Sequence, residues 1–279
     1  MKKTHSRPLD IFRDRLACPT CNGPLTEVET ELRCSAGCPT ARIDASGSCW
    51  FGTLSAEEVH SDFLNSLKEK VKVRFPHLFT RITRWFSPVY WDGMPPQFLN
   101  RFDFQKDLVI DVGSGVYRIH PGIVSVDGGS YPEVDVHCDA EHLPFADNSV
   151  DGVMSLALLE HVQHPEKIVA EIYRVLRPGG SVFCVVPFMQ AIHASPHDFR
   201  RWTSHGLRLL FSDFEVNEVR TEAGPTSGAI WVLQCYLAIL LSFGSRRLYW
   251  MIYIASHALC PLKVLDRFLQ HHPMADTVA

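Results

Sequence analysis

The sequence predicts an α/β fold with a parallel β-sheet, a small cysteine-rich module before the sheet and a helical hairpin after it. Short apolar segments of strand length recur through the middle of the chain, and a helix of crossover length separates the last two. Strands joined in this way pair in parallel through right-handed crossovers. Four of the 9 cysteines cluster near the N-terminus, and a long, nearly uncharged stretch lies near the C-terminus.

The composition agrees with a globular protein of more than one part. The chain has 279 residues, of which 46% are hydrophobic and 21% are charged, which is enough to build a sizeable core. The net charge of -4 argues against a protein that coats nucleic acid. This net charge still allows a local basic patch on the surface. The predicted parts are a cysteine module (1–52), a helical and aromatic connector (53–98), an α/β core (99–222) and apolar helices (223–279).

The order of elements follows from the apolar pattern. A helix is predicted over residues 55–75, followed by an aromatic, proline-rich connector or lid that contains Tyr90 and Trp91. A second helix lies within residues 164–180, where Pro178 and the two glycines after it end the helical pattern. The predicted strands are 108–112, 123–127, 134–137, 150–156 and 181–187.

Three acidic residues fall at the ends of consecutive predicted strands. Asp111 begins the run DVGSG, Asp127 ends the next strand, and Asp139 follows the third. The carboxyl ends of parallel strands form the ligand crevice of an open α/β sheet, and Gly113 and Gly115 let the backbone approach a ligand there. Because no phosphate-binding lysine accompanies them, the pattern favours an adenosine ligand without phosphates.

Five motifs in order then resemble a known family. DVGSG, VSVDGG, CDAEHLPFADNSVDGV, LLEHVQHPEKIVAEIYRVLRPGG and CVVPF together are similar to a class I S-adenosylmethionine (SAM) methyltransferase of the type-11 group, over residues 107 to 220. The resemblance implies a seven-stranded Rossmann-like sheet. It also implies a role for each motif residue: Asp111, Gly113 and Gly115 beside the methionine end of SAM, Asp127 on the ribose, Asp139 and the Ala140 backbone at the adenine, and Leu156 beside the transferred methyl.

Two features depart from the family pattern. Only 15 residues separate Asp111 from Asp127, too few for a full crossover helix with its turns, and Pro121 with Gly122 indicates a shortened helix. No clear strand follows residue 220, so the final strand is either missing or hidden in the apolar tail. The glycine run is therefore interpreted as a cofactor loop followed by a trimmed helix.

The cysteine module has the spacing of a structural zinc site. Cys18, Cys21, Cys34 and Cys38 stand as two close pairs, which supply four thiolates for tetrahedral Zn²⁺, while Cys49 is an alternative ligand. The segment resembles zinc-ribbon modules that are attached to, or partner, several methyltransferases. One such group methylates guanine in ribosomal RNA, which keeps RNA open as a substrate. The other cysteines, in apolar contexts, are expected in the core: Cys138, Cys184, Cys235 and Cys260.

Three histidines and one aspartate are candidates for the chemistry. His161 follows the fourth strand, near the methyl by analogy, and a packing role is an equal alternative. His193, His197 and Asp198 lie just past the fifth strand in a run, HASPHDFRRWT, that resembles segments of type-11 relatives linked to surface-glycan pathways. His197 with Asp198 could orient a base, and the arginines that follow could grip a carboxylate or phosphate. We expect this run to contact the acceptor.

The apolar tail leaves two interpretations open. A transmembrane hairpin is disfavoured, because its turn would place Arg246 and Arg247 on the non-cytoplasmic side, against the positive-inside tendency. The helices over 223–265 are therefore expected either to lie at the surface of a membrane or to pack on protein, as a cover for the acceptor pocket or as a dimer face.

The prediction from sequence is SAM-dependent methyl transfer to a small-molecule, lipid-linked or glycan-precursor acceptor, with structural zinc. Two alternatives stay open: an RNA methyltransferase that holds RNA through the zinc ribbon, and a non-catalytic SAM-binding subunit. The N-terminal residues carry no apolar run of the secretory type, so we expect a cytoplasmic location, with peripheral attachment to the inner face of the membrane as a variant.

Overall fold

The computed structural model describes residues 12–39, 41–51, 74–75, 81, 85–89, 96–193 and 197–277. They fall into two compact units: the first holds the described residues up to 51 and from 96 to 185, and the second holds those from 74 to 89 and from 186 onward. Tyr90, Trp91 and nearly all of the predicted helix over 55–75 lie outside the described residues.

The N-terminal module of the first unit is a small antiparallel ribbon. Each strand pairs with the next along the chain, and the short strands leave little room for a core of their own. The strands are β1 (Leu25–Val28), β2 (Glu31–Cys34), β3 (Ala41–Ile43) and β4 (Cys49–Trp50).

The core of the first unit is the predicted parallel sheet. All five predicted strands are present: β5 (Val109–Val112), β6 (Val124–Asp127), β7 (Val136–His137), β8 (Val150–Leu156) and β9 (Leu176–Val185). They lie in the order β7-β6-β5-β8-β9. The first four are almost wholly buried, as expected of strands covered on both faces.

The ribbon and the core form a single sheet of nine strands within the described residues. β4 pairs in parallel with β7, the edge strand of the core, so that Cys49 lies opposite Val136 and Trp50 opposite His137. The Cys49 amide donates to the Asp135 carbonyl at 2.8 Å, and the Phe51 amide donates to the His137 carbonyl at 2.8 Å. The ribbon therefore satisfies an edge that would otherwise expose unpaired backbone groups.

The expected seven-stranded core is wrong. Five parallel strands make up the core, and no strand is present among residues 186–193 and 197–277. The long apolar runs that could have hidden a final strand form helices instead. Such runs are longer than strands usually are and are rich in leucine and alanine, which favour helix.

The expected shortened first crossover helix is also wrong, because residues 113–123 contain no helix at all. A nearly buried guanidinium holds this loop in place of helix packing. Arg118 pairs with Asp135 at 2.7 Å and donates to the carbonyl oxygens of Ile123 at 2.7 Å and Glu133 at 2.6 Å. A Cβ at Gly122 would lie 2.6 Å from the Phe104 side chain, so the loop packs at a glycine.

Helices cover the core sheet. A short helix, α1 (Pro96–Leu99), precedes β5, and α2 (Pro165–Val175) lies between β8 and β9. The predicted face of α2, with Ile168, Ile172 and Val175, is buried, as the periodicity indicated. A 3-10 turn, Leu159–His161, follows β8.

The second unit contains the predicted hairpin of apolar helices. After α3 (Ser204–Leu210), the hairpin is formed by α4 (Pro225–Leu241) and α5 (Arg246–Ser256), and the chain continues through a 3-10 stretch (His257–Leu265), α6 (Asp266–Leu269) and a 3-10 turn (Ala275–Thr277). The hairpin turns at Phe243 and Gly244, with φ of 47° and 80°.

Among the described residues, one helical stretch, Arg246–Leu269, is long and apolar enough, by length and composition, to cross a membrane. α4 is also apolar but shorter.

A buried carboxylate fixes the start of the hairpin. Asp266 is fully buried and accepts from the amides of Thr226 at 2.8 Å and Ser227 at 2.7 Å, and from the Ser227 hydroxyl at 2.6 Å. These amides belong to the first turn of α4, whose donors have no partner within the helix. Asp266 thus caps α4 from a distant point in the chain, and its charge suits the positive end of the helix dipole.

We predict that Asp266→Ala weakens the second unit. The substitution removes the acceptor of the Thr226 amide and of the Ser227 hydroxyl, and it leaves the Ser227 amide only the Gly224 carbonyl at 3.1 Å. This loss should lower the free energy of opening by about 2–3 kcal/mol. Hydrogen exchange of the α4 amides measures this change. Asp213→Ala, at an exposed position of the same unit, is the matched control. Unchanged protection of α4 in Asp266→Ala would contradict the capping role.

Candidate functional site

The glycine run after β5 is a tight turn that only glycine fits. Gly113 and Gly115 have φ of 80° and 61°, in the left-handed region. A Cβ at Gly113 would also lie 2.9 Å from the Leu158 side chain. The Gly113 amide donates to the Val126 carbonyl at 2.8 Å, which ties the turn to the neighbouring strand β6.

Asp127 at the end of β6 organises the loops on both sides of it. Its carboxylate accepts from the Gly115 amide at 2.8 Å and from the Gly129 amide at 2.7 Å. The side chain is only partly buried, and each carboxylate oxygen has a further lone pair. Asp127 is therefore held in one orientation while keeping acceptor capacity for two ligand hydroxyls.

Asp111 is a buried carboxyl beside this turn. It is 2% exposed, and no described residue donates a hydrogen bond to its Oδ1 atom. Burial, together with the charge of Asp127, raises the pKa of Asp111 to about 7. The Ser114 hydroxyl oxygen is likewise buried without a partner among the described residues. Unpartnered buried polar atoms are uncommon in folded proteins, so these two indicate a ligand contact.

The loop after β7 carries the third acidic residue. Asp139 accepts from the Glu141 amide at 2.9 Å, and its side chain is about half exposed, at 47%. Two side chains of α2 clamp the rest of this loop. Glu171 accepts from the Leu143 amide at 2.8 Å, and Arg174 donates to the Leu143 carbonyl at 2.8 Å. Asp139 and Ala140 thus stand on a braced loop at the same edge of the sheet as Asp111 and Asp127.

The residues at this edge fit SAM. Two carboxyls at adjacent strand ends suit a ligand with positive charge, because a cation offsets their mutual repulsion. Because glycine has no side chain, a ligand can reach the backbone of this turn. No atom lies within 4 Å of a Cβ built at Gly115. Leu156 ends β8, which lies next to β5 in the sheet.

The ribbon is joined to this edge of the core at two places. The Trp50 ring stacks on His137, with centroids 3.6 Å apart, and the His137 Nδ1 atom lies 2.9 Å from the Gly129 carbonyl. A carbonyl oxygen only accepts, so Nδ1 carries the proton. Burial lowers the pKa of His137, which keeps the ring neutral. The second contact is a bridge between Leu16 and Phe145, at the end of the Asp139 loop.

The four predicted cysteines form one cluster. The sulfur atoms of Cys18, Cys21, Cys34 and Cys38 all lie within 4.8 Å of one another. Four thiolates on one tetrahedral zinc ion stand about 3.8 Å apart, given Zn–S bonds of about 2.3 Å. The Ala36 amide, which donates to the Cys34 sulfur at 3.4 Å, lowers the pKa of Cys34 to about 7. Cys49 is outside this cluster and lies buried in β4.

His161 stands where the sequence placed it, in the 3-10 turn after β8. Its Nε2 atom is 3.9 Å from the Glu160 Oε1 atom, and Glu160 is fully buried. The His161 side chain is 12% exposed, so it is mostly enclosed by protein. Both a role beside the transferred methyl and a packing role are compatible with this position.

The remaining candidates lie in the second unit, and their pairing differs from the expectation. Asp198 accepts two hydrogen bonds from Arg201 and one from the His193 amide at 2.8 Å, while the His193 Nδ1 atom is 3.6 Å away. The Arg201 pairing holds the pKa of Asp198 well below its usual range. The ring of His197 contacts Phe199, with centroids 5.4 Å apart. The carboxylate therefore braces the loop with Arg201 and His193, which is a different arrangement from a pair of His197 and Asp198.

Arg201 also differs from its expected role. Its guanidinium donates to the carbonyl oxygens of Gln190, Ala191 and Arg200, in addition to Asp198, so its donors serve the loop. Arg200 has a buried Nη1 atom with no partner among the described residues. Of the two arginines, Arg200 is the one with donor capacity left for a ligand.

Three contributors were missed from sequence. Leu158 covers the glycine turn, Trp50 buttresses His137, and Arg118 replaces the crossover helix. A lone arginine in a short loop between two apolar strands is a usable sign of a buried brace. The partnership of Trp50 and His137 joins residues far apart in the chain, and no local pattern indicates it.

Comparison with known proteins agrees with this geometry. Residues 118–184 match the family model Methyltransf_11, described as a methyltransferase domain. The ubiquinone/menaquinone biosynthesis C-methyltransferase UbiE of Desulfotalea psychrophila is 48% identical over 48 residues, which cover 17% of this chain and 20% of UbiE. A probable SAM-dependent methyltransferase of Mycolicibacterium smegmatis is 39% identical over 85 residues, covering 29% of this chain and 33% of that protein.

Among solved structures, one similar chain belongs to a Haloferax volcanii complex of the Trm112 methyltransferase activator with a methyltransferase. The two chains are 28% identical, with a TM-score of 0.32, and the match covers 38% of this chain and 59% of that chain. The chain spans less than half the length of the curated relatives described above. The matched segment lies within the five-stranded parallel core that carries the glycine turn and the acidic strand ends. The chain therefore contains a class I, S-adenosylmethionine-dependent methyltransferase domain.

Proposed function

We propose that this chain transfers a methyl group from SAM to a small-molecule, lipid-linked or glycan-precursor acceptor. One observation carries the proposal: the glycine turn, Asp127 and the buried carboxyl of Asp111, whose Oδ1 atom has no partner among the described residues, meet at the carboxyl edge of adjacent parallel strands. This constellation suits a cationic adenosine ligand. The UbiE relatives are named for methylation of carbon in ubiquinone and menaquinone biosynthesis, which supports a small or lipid-like acceptor.

The chain's own residues bind and orient the cofactor. Asp127 would accept from the ribose hydroxyls, Asp139 and the Ala140 backbone would meet the adenine, and the backbone of Gly113 and Gly115 would lie along the methionine end. Asp111 would offset positive charge there. When bound, SAM supplies an electrophilic methyl on its sulfonium. The protein then has to exclude water and align the acceptor, which alone accounts for a large part of the acceleration in such displacements.

The proposed acceptor contacts are His161 and the loop with His193, His197 and Asp198. In this loop Asp198 is a positioning residue, because its oxygens are bound by Arg201 and His193. Arg200, whose Nη1 atom has no partner within the part of the chain that the structure describes, would bind an anionic group of the acceptor. An acceptor with a low pKa needs no general base, and a less acidic one would use His161 or His193.

The described ribbon gives little support to the RNA alternative. Between residues 18 and 51 it carries four acidic residues and two basic ones, Arg33 and Arg42. Proteins that hold RNA through phosphate contacts need a basic surface. We infer instead that the ribbon is structural, that its four thiolates hold Zn²⁺, and that it supports the edge of the core sheet.

Transfer of labelled methyl from SAM into a fractionated cell extract tests the function. We expect label in the lipid or soluble glycan fraction with the wild-type chain. Asp127→Asn should lose at least about tenfold in SAM affinity, since charge-assisted hydrogen bonds contribute roughly 1.5–3 kcal/mol, and its zinc content should be unchanged. Asp213→Asn, at an exposed carboxylate of the second unit, is the matched control.

Label in RNA would instead favour the RNA alternative. If SAM binds and no fraction is labelled, the chain acts as a non-catalytic subunit. Unchanged SAM binding in Asp127→Asn would overturn the site assignment itself.

The pH dependence of SAM binding provides an independent prediction. With a pKa of about 7, Asp111 is largely protonated below that pH in the ligand-free protein, and its carboxylate is the form that attracts a cation. Affinity should therefore rise about tenfold between about pH 6 and about pH 8. Calorimetric titration across this range measures the change. Asp111→Asn should show a flat profile, and a flat profile in the wild type would contradict the role of Asp111.

Metal analysis tests the ribbon. The wild-type chain should hold one zinc ion, and Cys34→Ser should lose most of it, because one of four thiolate ligands is removed. Cys49→Ser is the matched control, since Cys49 is a buried ribbon thiol outside the cluster. Full zinc retention in Cys34→Ser, or equal loss in both variants, would contradict the assigned ligands.

A further inference from the structure

The hairpin of the second unit has an inverted distribution of polarity. Its buried positions include Gln234, fully buried and bonded to the Ser256 carbonyl at 3.1 Å, and the capping carboxylate of Asp266. Lys263 is also nearly buried and donates to the Ser87 carbonyl. In a helical hairpin surrounded by water, such groups usually face outward and apolar side chains face the core.

The outward positions of the same elements are apolar. Large side chains are exposed along α4, at the turn, along α5 and through α6: Val232, Leu233, Tyr236, Ile239, Leu240, Leu241, Phe243, Trp250, Met251, Ile254, Leu262, Val264, Leu265, Phe268 and Leu269. We call this set the apolar face. Ile239, Met251 and Ile254 are 65%, 66% and 65% exposed. Soluble monomers rarely expose so many large apolar side chains on neighbouring elements, which indicates that another phase covers them.

The charges near the apolar face are of one sign. From Ala223 to Leu269 the acidic residue is Asp266, which is buried, while Arg246, Arg247 and Arg267 are exposed. Arg246 and Arg247 follow directly after the turn, where Phe243 is 89% exposed. A protruding aromatic side chain beside two arginines matches a boundary between hydrocarbon and anionic headgroups.

We propose that the apolar face binds the surface of an anionic lipid bilayer, with Phe243 inserted among the acyl chains and Arg246 and Arg247 at the headgroups. The proposal goes beyond methyl transfer and does not rest on it. It would place the methyltransferase domain next to acceptors that reside in the membrane.

A lipid surface accounts for the observations better than a second copy of the chain. Copies that met through the apolar face would bring the exposed Arg247 and Arg267 of each chain together. Like charges in one interface are unfavourable. Anionic headgroups supply charge of the opposite sign. Tyr249, Trp250 and Tyr253 form a mutually packed aromatic group on α5, and Tyr and Trp are the side chains that favour the interfacial zone.

Flotation of the full chain with lipid vesicles tests this proposal. Vesicles of phosphatidylcholine with added phosphatidylglycerol should bind the protein at low salt, and phosphatidylcholine alone should bind it more weakly. Phe243→Asp should weaken binding at least about tenfold, because one buried aromatic side chain is lost from the apolar phase. Replacing Arg246 and Arg247 together by glutamine should weaken binding to the anionic vesicles about twentyfold and remove most of the salt dependence.

Controls separate lipid binding from misfolding. Leu209→Asp changes an exposed leucine of α3, outside the apolar face, and should bind vesicles like the wild type. Met251→Asp lies on α5 away from the turn and should weaken binding as Phe243→Asp does. Helical circular dichroism should be the same in all variants, and zinc content reports separately on the first unit.

Three results would overturn the proposal. The chain fails to float with either vesicle, or the substitutions on the apolar face leave flotation unchanged. Alternatively, the lipid-free chain forms a dimer that Phe243→Asp dissociates, which would make a second copy the occupant. Resistance of the chain to alkaline extraction from membranes, with the turn accessible to protease only from the far side, would replace surface binding by a spanning hairpin and would equally overturn it.

Discussion

The parallel pairing of β4 with β7 is the contact on which the first unit depends. β7 has only two residues, yet it lies between the strand that ends in Asp127 and the ribbon. So short a strand gains little from its own hydrogen bonds, and the ribbon supplies a second partner on its open side. The ribbon in turn has little core of its own, with the cluster of four cysteines at one end and the sheet at the other. Each part thus stabilises the other, and the proposed cofactor edge, which carries Asp111, Asp127 and Asp139, lies at their junction.

The same junction explains how the core holds the glycine turn and the acidic strand ends in place without a first crossover helix. A crossover helix would normally support the glycine turn, and here Arg118, Asp135 and the backbone of a loop take its place. On the other side, Trp50 holds His137, which fixes the Gly129 carbonyl two residues after Asp127. Ion pairs and ring stacking tolerate substitutions less well than helix packing does, because each depends on the positions of a few atoms. The site is therefore sensitive to changes in the ribbon as well as to changes at the ligand itself.

The sequence predicted the elements that depend on local pattern. The five core strands, the buried face of α2, the helical hairpin and the four clustered thiols all carry a period or a spacing that can be read locally. The parallel joint of β4 and β7 could not be predicted, because it depends on backbone pairing between segments about 85 residues apart, and strand pairing is specified by the fold as a whole. The short spacing between Asp111 and Asp127 indicated that a full crossover helix does not fit there. It did not indicate that a buried arginine takes the place of the helix. The partners of Asp198 were mistaken because sequence adjacency to His197 was taken for spatial pairing.

Hydrogen exchange on the full chain, with and without a zinc chelator, tests most directly whether ribbon and cofactor edge are one cooperative element. If they are, chelation should speed exchange of the ribbon amides and equally of Val136, His137 and Gly129 in the core, while the central strand β5 stays protected. If chelation exposes only residues 18–51 and leaves these three amides as protected as before, the ribbon is an independent appendage and the account of the cofactor edge is wrong.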